Sequence, residues 1–324
     1  MKKLVKILGV IAALLAIAFL FLRVPDTDPA EMRAKYATAP SQFVTLANGQ
    51  EVHLRDEGPK DAPAIVLLHG SNADLSTWQP WTETLRGDYR VIRFDQIGHG
   101  LTGAAKDKDY SPDSFVESVD QVADKLGLEQ FVLAGNSMGG AIAMAYAMKH
   151  PERLSGLVLV DAGGAPIRRE GGGNLAFTLA RNPVLGPVLS QMLPRSIIEK
   201  SLKQSVSVQS IVTPQMVDRY YDMARYPGNR AATRARFSMP YRTFTAEDVA
   251  KVQVPTLVMW GEEDALIPYE AANWYMQYLP QGTLANYRGV GHLPQEEAAE
   301  RSAADLRKWL AAILAPQPEA RAVE

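Results

Sequence analysis

A serine between two glycines is the residue of this chain best placed to do chemistry. The segment 135–139 reads Gly-Asn-Ser-Met-Gly, follows the apolar run 131–134 and precedes a helix-forming run at 141–146. A strand that turns straight into a helix strains the serine backbone, and glycines are needed where a Cβ would collide with a neighbouring element. The helix N-terminus directs N–H groups and a positive dipole end at a developing oxyanion. The pattern predicts that Ser137 is a nucleophile.

Two further residues complete a catalytic set. An apolar strand at 254–260 runs into an acidic turn that ends at Asp264, and a shorter strand leads to the glycine-flanked His292. In such a set His292 takes the proton of Ser137, while the aspartate fixes the imidazole tautomer and stabilises its charged form. Asp161, which also follows a predicted strand, is the alternative for this acid.

Over residues 42–315 the chain resembles the α/β-hydrolase superfamily. The motifs that carry the resemblance are Leu-Leu-His-Gly-Ser at 67–71, Phe-Asp-Gln-Ile-Gly-His-Gly at 94–100, Gly-Asn-Ser-Met-Gly-Gly at 135–140, Gly-Glu-Glu-Asp at 261–264 and Gly-Val-Gly-His at 289–292. The chain order serine, aspartate, histidine is also that of the superfamily. The resemblance implies an oxyanion hole made by the backbone N–H groups of Met138 and Ser71.

Two branches of the superfamily are similar around the nucleophile: cap-bearing bacterial lipases and esterases, and meta-cleavage-product hydrolases, which cut a C–C bond. The second branch usually has a Gly- and Pro-rich loop after His-Gly and an aromatic residue soon after the catalytic histidine. This chain has Ser-Asn-Ala-Asp at 71–74 and Leu-Pro-Gln at 293–295. Its serine also separates it from the haloalkane dehalogenases and epoxide hydrolases, which use an aspartate.

We therefore expect an enzyme that hydrolyses carboxylic esters, lipid or acyl-glycerol esters included, through an acyl-Ser137 intermediate. Hydrolysis of a C–C bond by the same residues is one alternative. A non-catalytic ligand-binding protein of the same fold is another. The predicted partners are a small-molecule ester or lipid substrate and a membrane, and the oligomeric state stays open.

Composition narrows the class of protein further. The chain has 324 residues, of which 47% are hydrophobic, enough for one large α/β domain with an insertion. It has no cysteine, which excludes disulfides, a thiolate nucleophile and a Cys-based zinc site. The five histidines form no H-E-x-x-H or similar cluster, so no metal and no other cofactor is predicted. The net charge of −2 argues against a general nucleic-acid binder.

Residues 1–24 form a membrane anchor or a signal peptide. Three lysines precede a run without charge at 7–22. The small residues near Ala18 are followed by Phe-Leu-Phe-Leu and not by a cleavage site, which favours an uncleaved anchor. The length of 4–22 is near the minimum for a transmembrane helix. The lysines predict a cytoplasmic N-terminus and a periplasmic or otherwise extracytoplasmic catalytic domain. Secretion after signal cleavage is the alternative.

Alternation of strands and helices predicts a doubly wound, mostly parallel sheet. Strands are expected at 64–68, 91–94, 131–134 and 157–160, and helices at 75–85, 112–126 and 141–149. Asn48-Gly49 predicts a two-residue hairpin turn. The α/β-hydrolase core is therefore assigned to 42–164 and 250–315, preceded by a linker at 25–41 and followed by a tail at 316–324.

The alternation stops between 165 and 249, where only helical patterns occur, at 184–193, 197–206 and 216–226. This segment is predicted to be a helical cap. It holds twelve Lys and Arg against six Asp and Glu, which indicates either a solvated face or a surface for anionic membranes and substrates. The basic residues considered for that role are Arg168, Arg169, Arg181, Arg195, Lys200 and Lys203. The triglycine at 171–173 indicates a hinge for a mobile lid.

Other residues of the motifs have structural interpretations. His69, His99 and Asp95 are expected to shape loops, and Asn136 to brace the turn at Ser137. An acyl pocket could be lined by aromatic and methionine side chains, for which core packing is the alternative. These side chains are Trp78, Trp81, Phe177, Met192, Met216, Tyr220, Tyr221 and Met239.

Overall fold

Eight strands form one sheet whose order and direction match the predicted class. The computed structural model describes residues 2–167, 182, 185–239 and 242–315, except the side chains of Leu4, Ala12 and Leu15. The strands are β1 (Gln42–Thr45), β2 (Glu51–Glu57), β3 (Ala64–Leu68), β4 (Arg90–Phe94), β5 (Phe131–Asn136), β6 (Leu154–Val160), β7 (Thr256–Gly261) and β8 (Gly282–Tyr287). Their order is β1-β2-β4-β3-β5-β6-β7-β8. Pairs β1–β2 and β2–β4 are antiparallel, and the other pairs are parallel.

Helices cover both faces of the sheet and fill the interval between β6 and β7. They are α1 (Lys2–Leu22), α2 (Pro29–Tyr36), α3 (Gln79–Leu85), α4 (Pro112–Lys125), α5 (Met138–Lys149), α6 (Leu185–Ser190), α7 (Arg195–Ser205), α8 (Pro214–Ala224), α9 (Asn229–Ser238), α10 (Ala246–Ala250), α11 (Glu270–Tyr278), α12 (Pro294–Glu297) and α13 (Ala299–Ile313). Short 3-10 turns occur at Leu75–Trp78, Pro151–Arg153 and Gln209–Ile211. The predicted helices at 75–85, 112–126 and 141–149 are present with small shifts at their ends.

The central strands are apolar throughout because both of their faces are buried. Every residue of β3 is buried. Val66 and Leu68 pack into the core that contains α4 and α5, whereas Ile65 and Leu67 pack into the core that contains α3 and α13. Burying each such side chain stabilises the fold by roughly 1.5–3 kcal/mol. The two layers hold the carboxyl ends of the parallel strands at one edge of the sheet, where the predicted site residues lie.

The first hairpin is present, but its turn is longer than the predicted two-residue turn. Strand pairing ends at Thr45 opposite Glu51. The N–H of Gly49 donates to Leu46 O over 2.9 Å, and Gly49 has a φ of +80°. A turn closed by a left-handed glycine is the alternative that an Asn-Gly pair also allows.

The predicted linker at 25–41 is folded onto the rest of the protein. Asp28 Oδ1 accepts hydrogen bonds from two backbone N–H groups at the start of α2, and Pro29 occupies its first turn. Met32 is buried in a cluster with Leu101, Met223 and Tyr226. The segment therefore docks against the insertion between β6 and β7 and is not a free spacer.

Between β6 and β7 the described residues contain the helices α6 to α10 and no strand. Three of these helices match predicted patterns. Helix α9 was not predicted, because its sequence is polar and arginine-rich without an apolar period. The predicted hinge at 171–173, and with it Arg168, Arg169, Arg181 and Phe177, lies outside the described residues. The division into core and cap remains a prediction.

Helix α1 is long and apolar enough to cross a membrane. The window Val5–Leu22 has a mean hydropathy of 2.7, and none of it is buried against the rest of the protein. A signal sequence has the same length and composition, so the helix is compatible with both predicted alternatives.

Candidate active site

Ser137 lies in the strained turn that the sequence predicts. It separates β5 from α5 with φ 55° and ψ −116°, outside the regions that most residues adopt. A Cβ on Gly135 would lie 2.2 Å from Gly139 O, and one on Gly139 would lie 2.3 Å from Leu68 O. Both glycines are therefore required for the helix to approach the sheet so closely. Ser137 is partly exposed at the end of the strand.

Asp264 and His292 form a buried hydrogen-bonded pair. Asp264 follows β7, His292 follows β8, and 2.7 Å separates His292 Nδ1 from Asp264 Oδ2. Asp264 Oδ1 accepts from the N–H groups of Leu266 at 2.7 Å and Ile267 at 3.1 Å. The carboxylate is an acceptor, so Nδ1 carries the proton and Nε2 is left with a lone pair. This is the tautomer that a general base requires.

Asn136 joins the nucleophile turn to the histidine loop. Its Nδ2 donates to His292 O at 3.1 Å and to Val160 O at 3.2 Å, and the side chain is buried. Since Asn136 directly precedes Ser137, these bonds hold Ser137 and the backbone of His292 beside one another. The bracing role predicted for Asn136 is confirmed.

The two residues implied to form an oxyanion hole flank Ser137. Met138 is the first residue of α5, and Ser71 follows the turn after β3. That turn passes close to the nucleophile, because a Cβ on Gly70 would lie 3.2 Å from Ser137 Cβ. The donation of their backbone N–H groups to an oxyanion remains a prediction.

Asp161, the alternative acid, belongs to the same cluster but does not pair with the histidine. It follows β6 with a φ of 43°, is fully buried, and accepts a hydrogen bond from Gly261 N at 3.0 Å. Burial, and next the charge of Asp264, raises the pKa of Asp161 well above its usual value. These effects favour the protonated form of Asp161, whereas Asp264 accepts hydrogen bonds from two backbone N–H groups and from His292.

This cluster also has the composition of a small metal site. Oxygen and nitrogen atoms of Asp161, Asp264 and His292 lie within 4.8 Å of one another. A metal ion would have to displace the proton of Asp161 and the bond between His292 and Asp264. The hydrogen-bonded acid–base arrangement accounts for the geometry without this competition.

His69 and Asp95 shape loops, as predicted. His69 Nε2 accepts from Gln96 N at 3.0 Å, and its Nδ1 donates to Gly70 O at 2.8 Å, which defines a neutral tautomer. Asp95 accepts from Leu75 N at 2.8 Å and Leu101 N at 2.7 Å. These bonds set the path of the loop that carries Ser71.

A second hydrogen-bonded set of serine, histidine and aspartate occurs outside this site. His53 Nδ1 lies 2.7 Å from Asp95 Oδ2, and His53 Nε2 lies 2.9 Å from Ser41 Oγ. Arg55 Nε donates to the same Ser41 Oγ at 3.0 Å. Ser41 precedes β1 and has no strand-to-helix turn, so it lacks the helix N-terminus that serves Ser137. This set ties the first hairpin to the loop at Asp95.

Glu297 supports the histidine loop, a role that the sequence does not predict. Its carboxylate accepts from the N–H groups on both sides of His292, those of Gly291 and Leu293, each at 3.1 Å. The same carboxylate accepts from Ser207 N at 2.7 Å, within the insertion. Its contact with Ser207 spans 90 residues, and the Glu-Glu pair at 296–297 belongs to no motif that predicts the role.

Four of the eight residues predicted to line a pocket fall into two groups. Trp78 and Trp81 are fully buried and pack with Ile65 and Leu67, so they belong to the core. Met216 and Tyr220 instead pack in a small cluster with Leu293, directly after His292, together with Ala73. Met216 and Tyr220 therefore remain candidates for contact with a substrate.

The fold agrees with comparisons to known proteins. The family model described as alpha/beta hydrolase fold matches residues 63–299. The chain belongs to this family.

Relatives of two kinds are similar to the chain. A 2-hydroxymuconate semialdehyde hydrolase of Pseudomonas putida is 30% identical over 274 residues, which cover 82% of this chain and 92% of that protein. Lipase 3 of Moraxella sp. (strain TA144) is 27% identical over 280 residues, covering 82% of this chain and 83% of the lipase. The fold of a membrane phospholipase A, a bacterial virulence factor, aligns with a TM-score of 0.72 at 24% identity, over 98% of this chain and 100% of that structure.

Proposed function

We propose that this hydrolase cleaves carboxylic esters of lipid-like substrates through an acyl-enzyme on Ser137. The observation that carries the proposal is the strained serine turn held beside a buried histidine–aspartate pair. The roles are nucleophile for Ser137, general base and acid for His292, and charge partner for Asp264. Backbone N–H groups of Ser71 and Met138 bind the oxyanion.

The reaction follows the acyl-transfer scheme in two halves. Ser137 Oγ attacks the carbonyl carbon while its proton passes to His292 Nε2, and the carbonyl π electrons move to oxygen. Collapse of this intermediate breaks the bond to the alcohol oxygen, which takes the proton from His292. Water then attacks the acyl-enzyme with His292 as base, which releases the carboxylic acid and restores Ser137.

Exposed apolar surface supports a lipid-like substrate. Leu185, Val188, Leu189 and Ile197, in and beside α6 and α7, are each at least 40% exposed. Val24, two residues after α1, donates its N–H to Gln191 O at 2.7 Å, so α1 ends beside these residues. Apolar side chains at the base of an apolar helix suit a protein held at a bilayer surface. The relative named as a lipase is consistent with the same chemistry.

We further propose that α1 is an uncleaved anchor with its lysine-bearing N-terminus in the cytoplasm and the catalytic domain outside it. The apolar length of the helix and the lysines in its first turns support this orientation. Secretion after removal of α1 is the alternative.

Hydrolysis of a C–C bond is the second candidate activity. The relative from Pseudomonas putida, which is 30% identical, is named as a hydrolase of a semialdehyde product. The same nucleophile and base would serve that reaction. Leu293 and Pro294 stand where an aromatic side chain is usual in that branch, which favours esters.

The test uses the full chain in detergent micelles. Initial rates are measured on p-nitrophenyl esters from acetate to palmitate and on a meta-cleavage product, in wild type and Ser137→Ala. A fluorophosphonate probe is added in parallel, and mass spectrometry locates the label. We expect the wild type to hydrolyse esters and to be labelled at Ser137. In Ser137→Ala the label should be absent and the rate of ester hydrolysis should fall by at least ~1,000-fold.

Each contrary result has its own consequence. Labelling at Ser41 in place of Ser137 would move the nucleophile to the second hydrogen-bonded set. Turnover restricted to the meta-cleavage product would select the C–C hydrolase. Full ester activity in Ser137→Ala would contradict the mechanism.

A further inference from the structure

Arg236 extends from α9 to both residues of the proposed oxyanion hole. Its Nη1 lies 2.8 Å from Ser71 Oγ and 3.3 Å from Met138 Sδ. Its Nη2 donates to Asn72 Oδ1 at 3.2 Å and to Thr233 Oγ1 at 3.0 Å. Four of the five N–H groups of the guanidinium are therefore occupied, which holds the group in one place.

Among the described residues, no acid compensates the charge of Arg236. Every partner of its nitrogens named above is neutral, and no carboxylate among the described residues pairs with it. Its Nε is shielded from solvent and has no hydrogen-bond partner within that part of the chain. Burial lowers the pKa of Arg236 to about 10, which still leaves it charged at neutral pH. A partly buried cation with no counter-ion among the described residues is costly, so its place beside the nucleophile calls for a function.

Other arginines of the insertion provide a contrast. Arg219 pairs with Asp74 at 3.1 Å, and Arg195 pairs with Asp218. Arg225 pairs with Asp222 at 2.9 Å. Their charges are neutralised locally, whereas that of Arg236 is free to act on its surroundings.

The field of Arg236 is already felt by its buried neighbours. Burial, and next the charge of Arg236, holds the pKa of His99 well below its usual value. His99 therefore stays neutral and adds no competing charge. In so little solvent a fixed charge acts over several ångströms with limited screening.

Resting on the proposed function, we propose that Arg236 is a positioning residue that stabilises the oxyanion electrostatically from α9. Its contact with Ser71 and Met138 brings positive potential to the two backbone N–H groups that receive the developing negative charge. The effect belongs to the transition state, since the ground-state ester carbonyl is neutral. The insertion thereby contributes to catalysis and not only to the choice of substrate.

The primary test compares three variants of the full chain. Arg236→Gln removes the charge but keeps hydrogen-bond donors, and Arg236→Lys keeps the charge. Arg234→Gln removes a charge from the same helix without contact with Ser71 or Met138, and is the matched control. We expect Arg236→Gln to lower kcat by about 10- to 100-fold with little change in KM, less loss in Arg236→Lys, and wild-type rates in Arg234→Gln.

A second variant neutralises Arg236 without removing it. Asn72→Asp places a carboxylate where Asn72 Oδ1 now accepts from Arg236 Nη2, at an exposed turn residue. It is nearly isosteric, so it tests the charge even if Arg236→Gln fails to fold. We expect kcat to fall several-fold or more while the melting temperature stays close to wild type.

Inhibition by a boronic acid distinguishes electrostatic stabilisation of the oxyanion from a merely structural role of Arg236. It forms a tetrahedral anionic adduct on a catalytic serine. We expect the Ki of the boronic acid in Arg236→Gln to rise by about the same factor as kcat falls. The fall in kcat should be the same on a neutral p-nitrophenyl ester and on the anionic mono-p-nitrophenyl glutarate.

Contrary outcomes separate this inference from the proposed function. A rise in KM confined to the anionic ester would assign Arg236 to recognition of substrate charge and overturn the proposal. Equal losses in Arg236→Lys and Arg236→Gln, or wild-type kcat in Asn72→Asp, would also overturn it. Failure of Ser137 labelling in the wild type would instead remove the proposed function itself.

Discussion

Two buried carboxyl groups, Asp161 and Asp264, lie beside the same histidine and differ in their hydrogen bonds. Asp264 accepts from two backbone N–H groups and from His292, which stabilises its anion. Asp161 accepts one backbone N–H, and burial, followed by the charge of Asp264, raises its pKa. Two neighbouring anions in one dry cluster would repel each other, and the proton on Asp161 removes the conflict.

This difference predicts that Asp264→Asn and Asp161→Asn affect kcat unequally, although each replaces a carboxyl group with an amide of the same shape. Asp264→Asn should lower kcat by at least about 1,000-fold, because His292 loses its charge partner and takes the wrong tautomer. Asp161→Asn replaces a neutral acid with a neutral amide and should retain kcat within about 3-fold. Steady-state rates on one ester provide the measurement, with thermal melts to confirm folding. The reverse ranking would make Asp161 the triad acid.

At the scale of residues, the sequence predicts the parts of the site that follow strands. Ser137, Asp264 and His292 each occupy a loop at the carboxyl end of a parallel strand, where the fold concentrates functional side chains. Glu297 and Arg236 could not be found in this way. Their partners lie 90 and 165 residues away along the chain, so their roles depend on how the insertion seats.

Helix α12 carries a partly buried acid, Glu296, against the insertion. Glu296 accepts a hydrogen bond from Thr77 Oγ1 and lies in the field of Arg219 and Asp74. Burial raises the pKa of Glu296 to about 7, although Arg219 favours the charged form. Between its ordinary pKa of 4.5 and about 7, Glu296 therefore keeps its proton in the folded protein and loses it in the unfolded chain.

The sign of the resulting pH dependence can be tested. Because folding raises this pKa, the stability contribution is fully present below about pH 4.5 and declines as pH rises to about 7. Glu296→Gln should leave stability unchanged at pH 4.5 and increase it by about 1–3 kcal/mol at pH 8. Urea unfolding at the two pH values measures the difference, with the exposed Glu300→Gln as control. A gain that is equal at both pH values would exclude Glu296 as the titrating group.

Helices and strands could be predicted where the capping residues and the pattern of apolar residues indicate the same element. Ser111 caps α4 and Pro112 opens it, as the sequence indicates, and β3 reads as a continuous apolar run. Helices α2 and α9 lack an apolar stripe of their own. They are stabilised by partners that sequence does not reveal, such as the cluster around Met32.

On the scale of the whole molecule, the segment after α1 is part of the folded domain. Arg230 Nη1 donates to Val24 O at 2.8 Å, and Lys35 and Tyr36 each bind Asp222 Oδ2 at 2.8 Å. Arg230 and Asp222 both lie in the insertion. The tether therefore reaches the insertion before it reaches the sheet, which places the insertion next to any membrane that α1 enters.

This organisation predicts where the chain can be cut. Removal of residues 2–22 should release a soluble, active domain, whereas the full chain should stay with membranes through carbonate extraction. Removal of 2–38 should also delete α2 and open the cluster around Met32, which destabilises the domain by roughly 2–5 kcal/mol. Urea unfolding compares the two truncations, with Met32→Ala in the longer one as a matched intermediate.

The two truncations should also differ in activity, because the insertion carries Arg236 and the backbone that contacts the histidine loop. Loss of the contacts that Lys35 and Tyr36 make with Asp222 is expected to lower ester turnover in the shorter domain even at temperatures where it remains folded. Identical melting and turnover in both truncations would show that residues 23–38 do not support the insertion. A mature protein that begins between 18 and 26 in the native host would instead identify α1 as a cleaved signal.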